Sequence, residues 1–299
     1  MTEPLRFTKG HGTQNDFVLV PALDGLLDVT ADQVVALTDR HAGIGGDGLI
    51  RVVPTAAAVE DSVRAQAAEA TWFMDYRNAD GSVAEMCGNG TRVFAAYLRR
   101  AGLEVGAEFA IATRAGLRVV RVEDDDHFAV DLGPWRLAHG EQAHDAGFDA
   151  LVKVDGSDPL SALSVDLGNP HTVVALPEEI DLGSLDLGRA PEVHPLPPGG
   201  TNVEFVRPLG PGQVAMRVHE RGVGETRSCG TGACAAAIAT GFWAGSTQPG
   251  DAWVVDVPGG RLRVRLLPGQ RVELSGPAQL VAEGEVDLAA LSRELPALR

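Results

Sequence analysis

Lysine and cysteine, two residue types that carry much of protein chemistry, are scarce in this chain of 299 residues. The lysines are Lys9, near the N-terminus, and Lys153, in an apolar and strand-like run. Because a pyridoxal phosphate enzyme needs a lysine for its Schiff base, neither position favours that cofactor. The cysteines, Cys87, Cys229 and Cys234, are odd in number and form no Cys-x-x-Cys pair, which argues against a disulfide framework and a zinc site. We therefore expect neither a cofactor nor a metal.

Long apolar runs and an excess of basic charge are also lacking. No apolar stretch reaches the roughly 18–20 residues that cross a bilayer. The first residues do not combine a basic head with an apolar stretch, so we expect no secretory signal and a cytoplasmic location. The net charge of −16 opposes nucleic acid or an anionic membrane as partner, because either needs a basic face. The expected partner is a small molecule.

The chain does contain two similar blocks, each of which ends in a cysteine and a Gly-x-Gly turn. The first spans residues 74–90 around Cys87, and the second spans residues 216–232 around Cys229. They align without a gap at an offset of 142 residues, which is both 229 − 87 and 216 − 74. The repeat predicts one site with two faces, as needed by a reaction that removes a proton from one face of a carbon and returns it to the other.

Apolar and alternating runs bounded by turn residues predict many short strands and few helices. Helices are expected after Cys87, after Cys229, over residues 287–295, and after Thr30, whose Gln33 completes a capping box. Without regular βαβ spacing, this pattern predicts an α+β fold of two pseudo-symmetric domains, each a mixed or antiparallel sheet wrapped round a central helix.

The repeat and a Gly-Pro step near residue 133 predict where the domains lie. We expect an N-terminal domain over residues 1–132 and a C-terminal domain over residues 133–282, with the tail of about 283–299 packing back on the first. Residues 55–70 have no clear period and are expected to be a mobile insertion or exposed loop. Residues 186–200, which are rich in proline, are expected to be a long loop.

The cysteines have two competing interpretations. A free cysteine is most often a buried small apolar residue, and Cys234, among alanines, fits that description. Cys87 and Cys229 each precede a Gly-x-Gly turn that lets the backbone approach a ligand, at a helix start that stabilises anions and lowers a thiol pKa. We therefore predict that these two are acid/base residues. The N–H groups expected to hold a substrate carboxylate belong to Gly88, Asn89, Gly230 and Thr231.

Other polar residues are candidates for substrate binding. Residues 43–48 match Gly-x-Gly-x-x-Gly, but no βαβ unit surrounds them, so we expect a loop that lines a pocket rather than a dinucleotide site. Glu220 suits an ammonium group and Arg221 a carboxylate, while His171 is either structural or a helper to a thiol. Asparagines in turn-like settings either satisfy their own backbone or join this group: Asn15, Asn78, Asn169 and Asn202.

Taken in order along nearly the whole chain, these motifs resemble the diaminopimelate epimerase family. The matching stretches are KGHGTQNDF (9–17), RHAGIGGDG (40–48), NADGS (78–82), EMCGNGTR (85–92), GNPH (168–171), NVEF (202–205), HERGVGET (219–226) and SCGTGAC (228–234).

The resemblance implies interconversion of LL- and meso-2,6-diaminopimelate, on the route to lysine and peptidoglycan, without pyridoxal phosphate or metal. It implies that Cys87 and Cys229 are the acid/base pair and that Glu220 and His171 assist at the reacting carbon. The asparagine set with Arg221 would line the substrate site. A homodimer is common in such families and is expected on that ground alone.

The chain departs from the family pattern at one loop. Members often read Phe-Asp-Gln where this chain reads Gly46-Asp47-Gly48, so a glutamine contact to substrate is either missing or supplied from elsewhere. Two other functions stay open. One is a proline racemase-like enzyme, which needs no clamp on a distal charged group. The other is a non-catalytic amino-acid-binding protein in which the cysteines only pack.

Overall fold

The computed structural model describes residues 4–124, 126–154 and 157–291. The strands are β1 Leu5–Gly12, β2 Asn15–Pro21, β3 Gly48–Pro54, β4 Trp72–Asn78, β5 Glu108–Ile111, β6 Arg118–Val122, β7 His127–Pro134, β8 Arg136–Leu137, β9 Ala150–Lys153, β10 Leu160–Asp166, β11 Pro170–Ala175, β12 Glu192–His194, β13 Asn202–Gly210, β14 Gln213–Glu220, β15 Gly224–Thr226, β16 Ala252–Val257, β17 Gly260–Leu267, β18 Arg271–Pro277 and β19 Gln279–Val286. The α-helices are α1 Ala31–Thr38, α2 Asp61–Arg64, α3 Gly88–Arg100, α4 Gly140–Ala146, α5 Gly230–Ala244 and α6 Leu288–Leu291, and short 3-10 helices span Thr55–Ala57 and Leu182–Ser184.

The chain divides into two compact units. Unit 1 comprises the described residues of Met1–Val130 and Pro277–Arg299, and unit 2 is formed by those of Asp131–Gly276. Strand β19 belongs to unit 1 because it pairs antiparallel with β1. The sequence prediction of a helix over residues 287–295 extends past the described residues, because it includes residues 292–295.

Unit 1 is built on a mixed sheet with the strand order β19-β1-β2-β3-β4, in which β2 and β3 run parallel. Helix α3 buries Val93, Phe94 and Leu98 and contacts the sheet. The capping box of α1 is confirmed, since Thr30 Oγ1 accepts from the Gln33 N–H at 3.3 Å and Gln33 Oε1 accepts from the Thr30 N–H at 2.9 Å.

Unit 2 is built on a larger mixed sheet with the order β12-β9-β10-β11-β13-β14-β16-β17-β18. Its strands run parallel at β11–β13 and at β14–β16. Helix α5 is apolar around its whole circumference and buried along residues 232–241, as expected of a helix that a sheet encloses. The predicted α+β fold, with a central helix in each of two pseudo-symmetric halves, is confirmed.

Residues 55–70 contain two short helices, which corrects the prediction of a loop, although most of these residues are exposed, as predicted. They form a 3-10 helix and α2, and they bury Ala58, Val63 and Ala70 in a cluster with Phe73. Two of the four buried positions, Ala58 and Ala70, are alanines, whose small side chains give no apolar period against an Ala-rich background.

Two further elements differ from the sequence prediction. Residues 186–200 are not loop throughout, because β12 pairs antiparallel with β9 inside this stretch. Helix α4 was not predicted; it ends at Gly147, which adopts the left-handed conformation (φ 79°) that glycine tolerates best. Within the described part of the chain, none of the helices has the length and apolar character to cross a membrane.

Candidate functional site

Both repeat cysteines are the N-cap residues of the central helices. Cys87 (φ −140°, ψ 123°) precedes α3, and Cys229 (φ −117°, ψ 118°) precedes α5. Each sulfur accepts a hydrogen bond from the third helical N–H, that of Gly90 at 3.5 Å and that of Gly232 at 3.4 Å. The thiol therefore takes the place that a serine or aspartate usually fills at an N-cap, and both helices begin where the sequence predicted.

Other atoms leave little room for a side chain on the helix side of each thiol. A Cβ at Gly232 would lie 2.8 Å from Glu204 Oε1 and 3.3 Å from Cys229 Sγ. A Cβ at Gly90 would lie 3.3 Å from Ile50 Cδ1. The second turn is the tighter one, because a carboxylate oxygen reaches the helix backbone there.

In unit 1, three predicted site residues come together around one amide. Asn15 Oδ1 accepts from the Cys87 thiol at 3.6 Å and from Asn89 Nδ2 at 3.1 Å. Asn15 Nδ2 donates to Asp47 Oδ2 at 2.7 Å, and Asn89 Oδ1 accepts from Arg92 Nη2 at 2.9 Å. Asp47 and Arg92 were not predicted as site residues.

Asp47 belongs to a small ionic network. Arg40 Nη2 donates to both Asp47 Oδ1 and Asp16 Oδ1 at 2.7 Å, and Lys9 Nζ donates to Asp16 Oδ2 at 2.6 Å. Burial by itself raises the pKa of Asp16, but the hydrogen bonds from Arg40 and Lys9 outweigh it and hold that pKa well below its usual value. Burial also raises the pKa of Asp47, and here the donors to the carboxylate do not reverse the shift.

Asn78 stands apart from this amide group among the described contacts. Its Nδ2 donates to Ser82 Oγ at 3.0 Å within the turn that follows β4. Gly48, paired with Asn78 across β3 and β4, has a physical reason to lack a side chain. A Cβ there would lie 2.6 Å from Tyr76 Cε2 and 2.6 Å from the carbonyl oxygen of Arg77, so the Tyr76 ring occupies the space into which a glutamine would start.

In unit 2, a chain of contacts leads from Cys229 to a buried carboxylate. Cys229 Sγ lies 3.6 Å from Thr231 Oγ1, which accepts from Asn169 Nδ2 at 3.4 Å. Asn169 Oδ1 lies 3.1 Å from His171 Nε2, and His171 Nδ1 lies 2.7 Å from Glu204 Oε1. The His171 and Glu204 side chains are both completely buried. Four of the five residues in this series of contacts were predicted as site residues, whereas Glu204 was not.

The electrostatics at Cys229 oppose what the helix start alone suggests. Burial raises the pKa of the Cys229 thiol well above its usual value, and the negative charges of Glu220 and Glu204 add to that rise. The Gly232 N–H and the Thr231 hydroxyl lower the pKa by less. The prediction that the helix start makes this thiol more acidic is therefore wrong for Cys229, because desolvation and two carboxylates outweigh the helix end.

Glu220 shares this surrounding. Burial raises the pKa of Glu220, although hydrogen bonds from the Thr226 hydroxyl and the Cys229 thiol lower it. The nearby charge of Glu204 raises the Glu220 pKa further, and His171 opposes that. Glu220 is thus a direct partner of the thiol.

Asn202 and Arg221 form a separate pair in unit 2. Asn202 Oδ1 accepts from the Arg221 backbone N–H at 3.0 Å, and Asn202 Nδ2 donates to the carbonyl oxygen of Pro170 at 3.3 Å. Arg221 Nη1 donates to the carbonyl oxygen of Gly199 at 3.1 Å. Asn202 is next to His171 in the parallel register of β13 and β11, and it shares strand β13 with Glu204, so this pair lies beside the contact chain of Cys229.

The site residues that the sequence analysis missed differ in how visible they were in the sequence. Glu204 was detectable, because a carboxylate between Val203 and Phe205 breaks an apolar strand, and a buried charge of that kind marks a functional candidate. Asp47 is the one charged residue of the glycine-rich stretch 43–48. Arg92 looked like an ordinary helix residue, and only the structure reveals that it is fully buried.

Comparisons with known proteins agree with one another. The diaminopimelate epimerase family profile matches residues 7–138 and 163–281. A diaminopimelate epimerase of Streptomyces coelicolor is 48% identical over 297 residues, covering 97% of this chain and 98% of its own. One of Thermobifida fusca is 50% identical over 295 residues, covering 96% and 100%.

Solved structures show the same fold at low sequence identity. A hydroxyproline epimerase from Agrobacterium vitis superimposes with a TM-score of 0.66 at 17% identity, covering 95% of this chain and 93% of its own. A phenazine biosynthesis protein of Bacillus anthracis gives a TM-score of 0.63 at 16% identity, covering 96% and 100%. At such identities the likeness concerns the fold alone.

Proposed function

Because the chain belongs to the diaminopimelate epimerase family, we propose that it interconverts LL- and meso-2,6-diaminopimelate without pyridoxal phosphate. The observation that carries this proposal is the repeated cysteine N-cap: each central helix begins with a thiol whose sulfur accepts from the helix backbone. A pair of equivalent thiols suits a reaction that inverts one carbon, since one group must remove a proton and another must deliver one.

The proposed proton balance is simple. A cysteine thiolate takes the α-proton and becomes a thiol, while the other cysteine, a thiol, gives its proton to the opposite face of the α-carbon and becomes a thiolate. The electron pair of the broken C–H bond stays on the substrate and forms the new C–H bond on the opposite face, so no electron leaves the substrate. The two cysteines are left ready for the other isomer. The enzyme form that starts the cycle has lost one of its two thiol protons to solvent.

The charge that develops next to the α-carbon needs stabilisation. The free N–H groups at a helix start bind carboxylates well, so we assign the reacting carboxylate to the N–H groups of Gly88, Asn89, Gly230 and Thr231. As the α-proton leaves, negative charge shifts onto that carboxylate, and fixed N–H donors stabilise it. No side chain other than cysteine has to exchange a proton with the substrate carbon.

Unit 2 supplies the groups that support Cys229. The raised pKa of the Cys229 thiol supports a role as the proton donor, because a thiol that keeps its proton in a buried site has a proton to deliver. Glu220, which accepts from the Cys229 thiol, orients the S–H bond. His171 and Asn169 hold Thr231 in place through the contact chain that ends on Glu204.

The distal, unreacting centre of the substrate is assigned to the remaining candidates. Arg221 offers a guanidinium for a carboxylate, and its backbone is tied to Asn202. Asn78 completes this set by the family resemblance. A cytoplasmic location, a homodimer and a place on the route to lysine and peptidoglycan stay predictions; cell fractionation, light scattering on the purified chain and complementation of a diaminopimelate auxotroph test them.

Hydrogen exchange at the α-carbon tests the function directly. The chain is incubated in heavy water with LL-diaminopimelate, and meso product and α-deuterium are followed by chromatography and mass spectrometry. We expect both to appear together, with the deuterium confined to one centre per turnover. Binding of LL-diaminopimelate with no deuterium uptake would leave only an amino-acid-binding protein.

A parallel incubation with L-proline tests the substrate class. We expect no racemisation, because the paired Asn202 and Arg221 suit a second charged group that proline lacks. Turnover of L-proline in preference to LL-diaminopimelate would turn the assignment towards a proline racemase-like activity.

A further inference from the structure

A chain of hydrogen bonds between two charged residues passes Cys87. Arg92 Nη2 donates to Asn89 Oδ1 at 2.9 Å, and Asn89 Nδ2 donates to Asn15 Oδ1 at 3.1 Å. Asn15 Nδ2 then donates to Asp47 Oδ2 at 2.7 Å. Arg92 and Asn89 are almost completely buried, whereas Asn15 is half-buried and its bond to Asp47 is exposed to water.

The two charged ends determine the direction of every bond in the chain. An asparagine amide turned by 180° exchanges its donor and its acceptor. An arginine can only donate, so Asn89 must turn its oxygen towards Arg92 and its nitrogen towards Asn15. With Asn15 reversed, its NH₂ group would face the NH₂ group of Asn89, and its oxygen would face the Asp47 carboxylate.

Asp47 accepts hydrogen bonds at both of its carboxylate oxygens. The Asp16 backbone N–H donates to the same Oδ2 atom at 3.0 Å, and Arg40 donates to Oδ1 at 2.7 Å. Both oxygens therefore face donors. The loop that the sequence marked only by its glycines therefore carries one of the two charged residues that orient Asn15, and Arg92 is the other.

This direction decides what the Cys87 sulfur meets. Asn15 presents an oxygen to it at 3.6 Å, which accepts from a thiol, whereas the reversed amide would present N–H groups, which favour a thiolate. We propose that Asp47 is a positioning residue that turns the Asn15 oxygen towards Cys87 and thereby holds that cysteine in its protonated, proton-donating form. The catalytic meaning rests on the proposed function, since the thiol proton is what Cys87 would deliver to the substrate carbon.

Two variants of one position separate the acceptor from the charge. Asp47→Asn and Asp47→Leu, each made together with Arg40→Gln so that no arginine competes for the new amide oxygen, have similar size, but only the asparagine keeps an oxygen for Asn15. Arg40→Gln is the matched control, because it removes the ion pairs to Asp47 and Asp16 and leaves the Asp47–Asn15 bond intact. The charged groups around Asn15 belong to Asp47, Asp16, Arg40, Lys9 and Arg92, and each variant changes only the ones named in it.

The measurement is the rate at which iodoacetamide alkylates Cys87, resolved from the other cysteines by peptide mass mapping and followed against pH. Only the thiolate reacts, so the rate reports its fraction. Loss of one net hydrogen bond corresponds to roughly a fivefold change. We expect Asp47→Leu to raise the rate about fivefold where the thiol is still largely protonated, and Asp47→Asn and Arg40→Gln to stay within about twofold of the parent.

Other results would overturn the proposal. An equal rise in Asp47→Asn and Asp47→Leu would show that the charge matters and not the acceptor. A rise at every pH, including the alkaline plateau, would show a loosened site rather than a larger thiolate fraction. If Asp47→Leu does not fold, Asn15→Leu removes the oxygen itself and must raise the Cys87 rate in the same way.

The alkylation test does not depend on turnover. If the parent enzyme fails to epimerise LL-diaminopimelate, the proposed function fails, while the alkylation rates still decide whether Asp47 sets the protonation of Cys87. If the enzyme is active and the rates do not separate the two Asp47 variants, only the positioning role fails.

Discussion

The half-sites around Cys87 and Cys229 share a backbone and differ in chemistry. Both sulfurs cap a helix from an extended residue and accept from the third helical N–H at 3.4–3.5 Å. Around Cys87 the side-chain partner described for the sulfur is the amide of Asn15, at 3.6 Å. Around Cys229 the dominant influences are burial and the carboxylates of Glu220 and Glu204.

This difference shows that placing a sulfur and setting its protonation are separate tasks, although the symmetric reaction needs both at each cysteine. The repeated cap determines where a sulfur sits and which N–H groups are next to it. The surroundings determine how firmly it holds its proton, by desolvation and charge repulsion at Cys229 and, as we propose, by a fixed amide acceptor at Cys87. On this proposal the two sulfurs hold their protons by different physical means, and one of them loses its proton to solvent before the cycle starts.

Removing either sulfur should have the largest effect. We expect Cys87→Ser and Cys229→Ser each to slow epimerisation by about 10²–10⁴-fold, the usual contribution of an acid/base group, because a serine hydroxyl is a far weaker acid and base. The rate of meso product formation from LL-diaminopimelate measures this. Near-parental activity in either variant would mean that one thiol is enough, and the comparison of two catalytic half-sites would fail.

Glu220→Gln should change one half-site and leave the other alone. With one of the two carboxylates gone, the pKa of Cys229 should fall, because a negative charge no longer opposes the thiolate. Alkylation of Cys229 near neutral pH should become several-fold faster, while that of Cys87 should stay the same. Equal acceleration at both cysteines would point to general loosening of the fold.

The same variant has a stability signature with a definite sign. Burial raises the pKa of Glu220 above the ordinary 4.5, so the folded state binds this proton more tightly than the unfolded state. Its contribution is fully present below pH 4.5 and is lost as the pH rises through the folded pKa. Thermal melting should therefore show Glu220→Gln gaining stability relative to the parent between acidic and neutral pH, and a constant difference would contradict the shift.

Gly48→Gln should be a packing effect confined to unit 1. Its Cβ meets the Tyr76 ring and the Arg77 carbonyl at 2.6 Å, so we expect a loss of about 1–3 kcal/mol, the usual cost of overpacking. Chemical denaturation measures it. The double variant Gly48→Gln with Tyr76→Ala should lose less unfolding free energy than the sum of the two single losses, because the ring no longer obstructs the new side chain. Strict additivity of the losses would show that the ring is not the obstacle.

Cys234→Ala should have the smallest effect and serves as the control for both half-sites. The residue is completely buried one turn into α5, where it packs against neighbours without being a cap. We expect a stability loss of about 1 kcal/mol, typical of a single buried change, and an unchanged rate of epimerisation. A large rate loss with little change in stability would add a third sulfur to the chemistry.

Much of the framework was accessible from sequence because it rests on local signals. The capping box at Thr30 and the helix starts after the two cysteines are short-range patterns, and the structure confirms them. The prediction of a loop over residues 55–70 was wrong because the buried alanines of this stretch lack an apolar period. The prediction of a lowered pKa for Cys229 was wrong because the helix start is a local feature, whereas the opposing charges of Glu220 and Glu204 come from other strands.

The sequence by itself determined the two-fold repeat, the central helices and the placement of a thiol at the start of each, since all of these depend on neighbours within a few residues. Only the tertiary structure decided what surrounds each sulfur. Asn15 is 72 positions from Cys87 in the chain, and His171 is 33 positions from Glu204. Protonation depends on burial and on charges a few ångströms away, and folding alone brings those groups within that range.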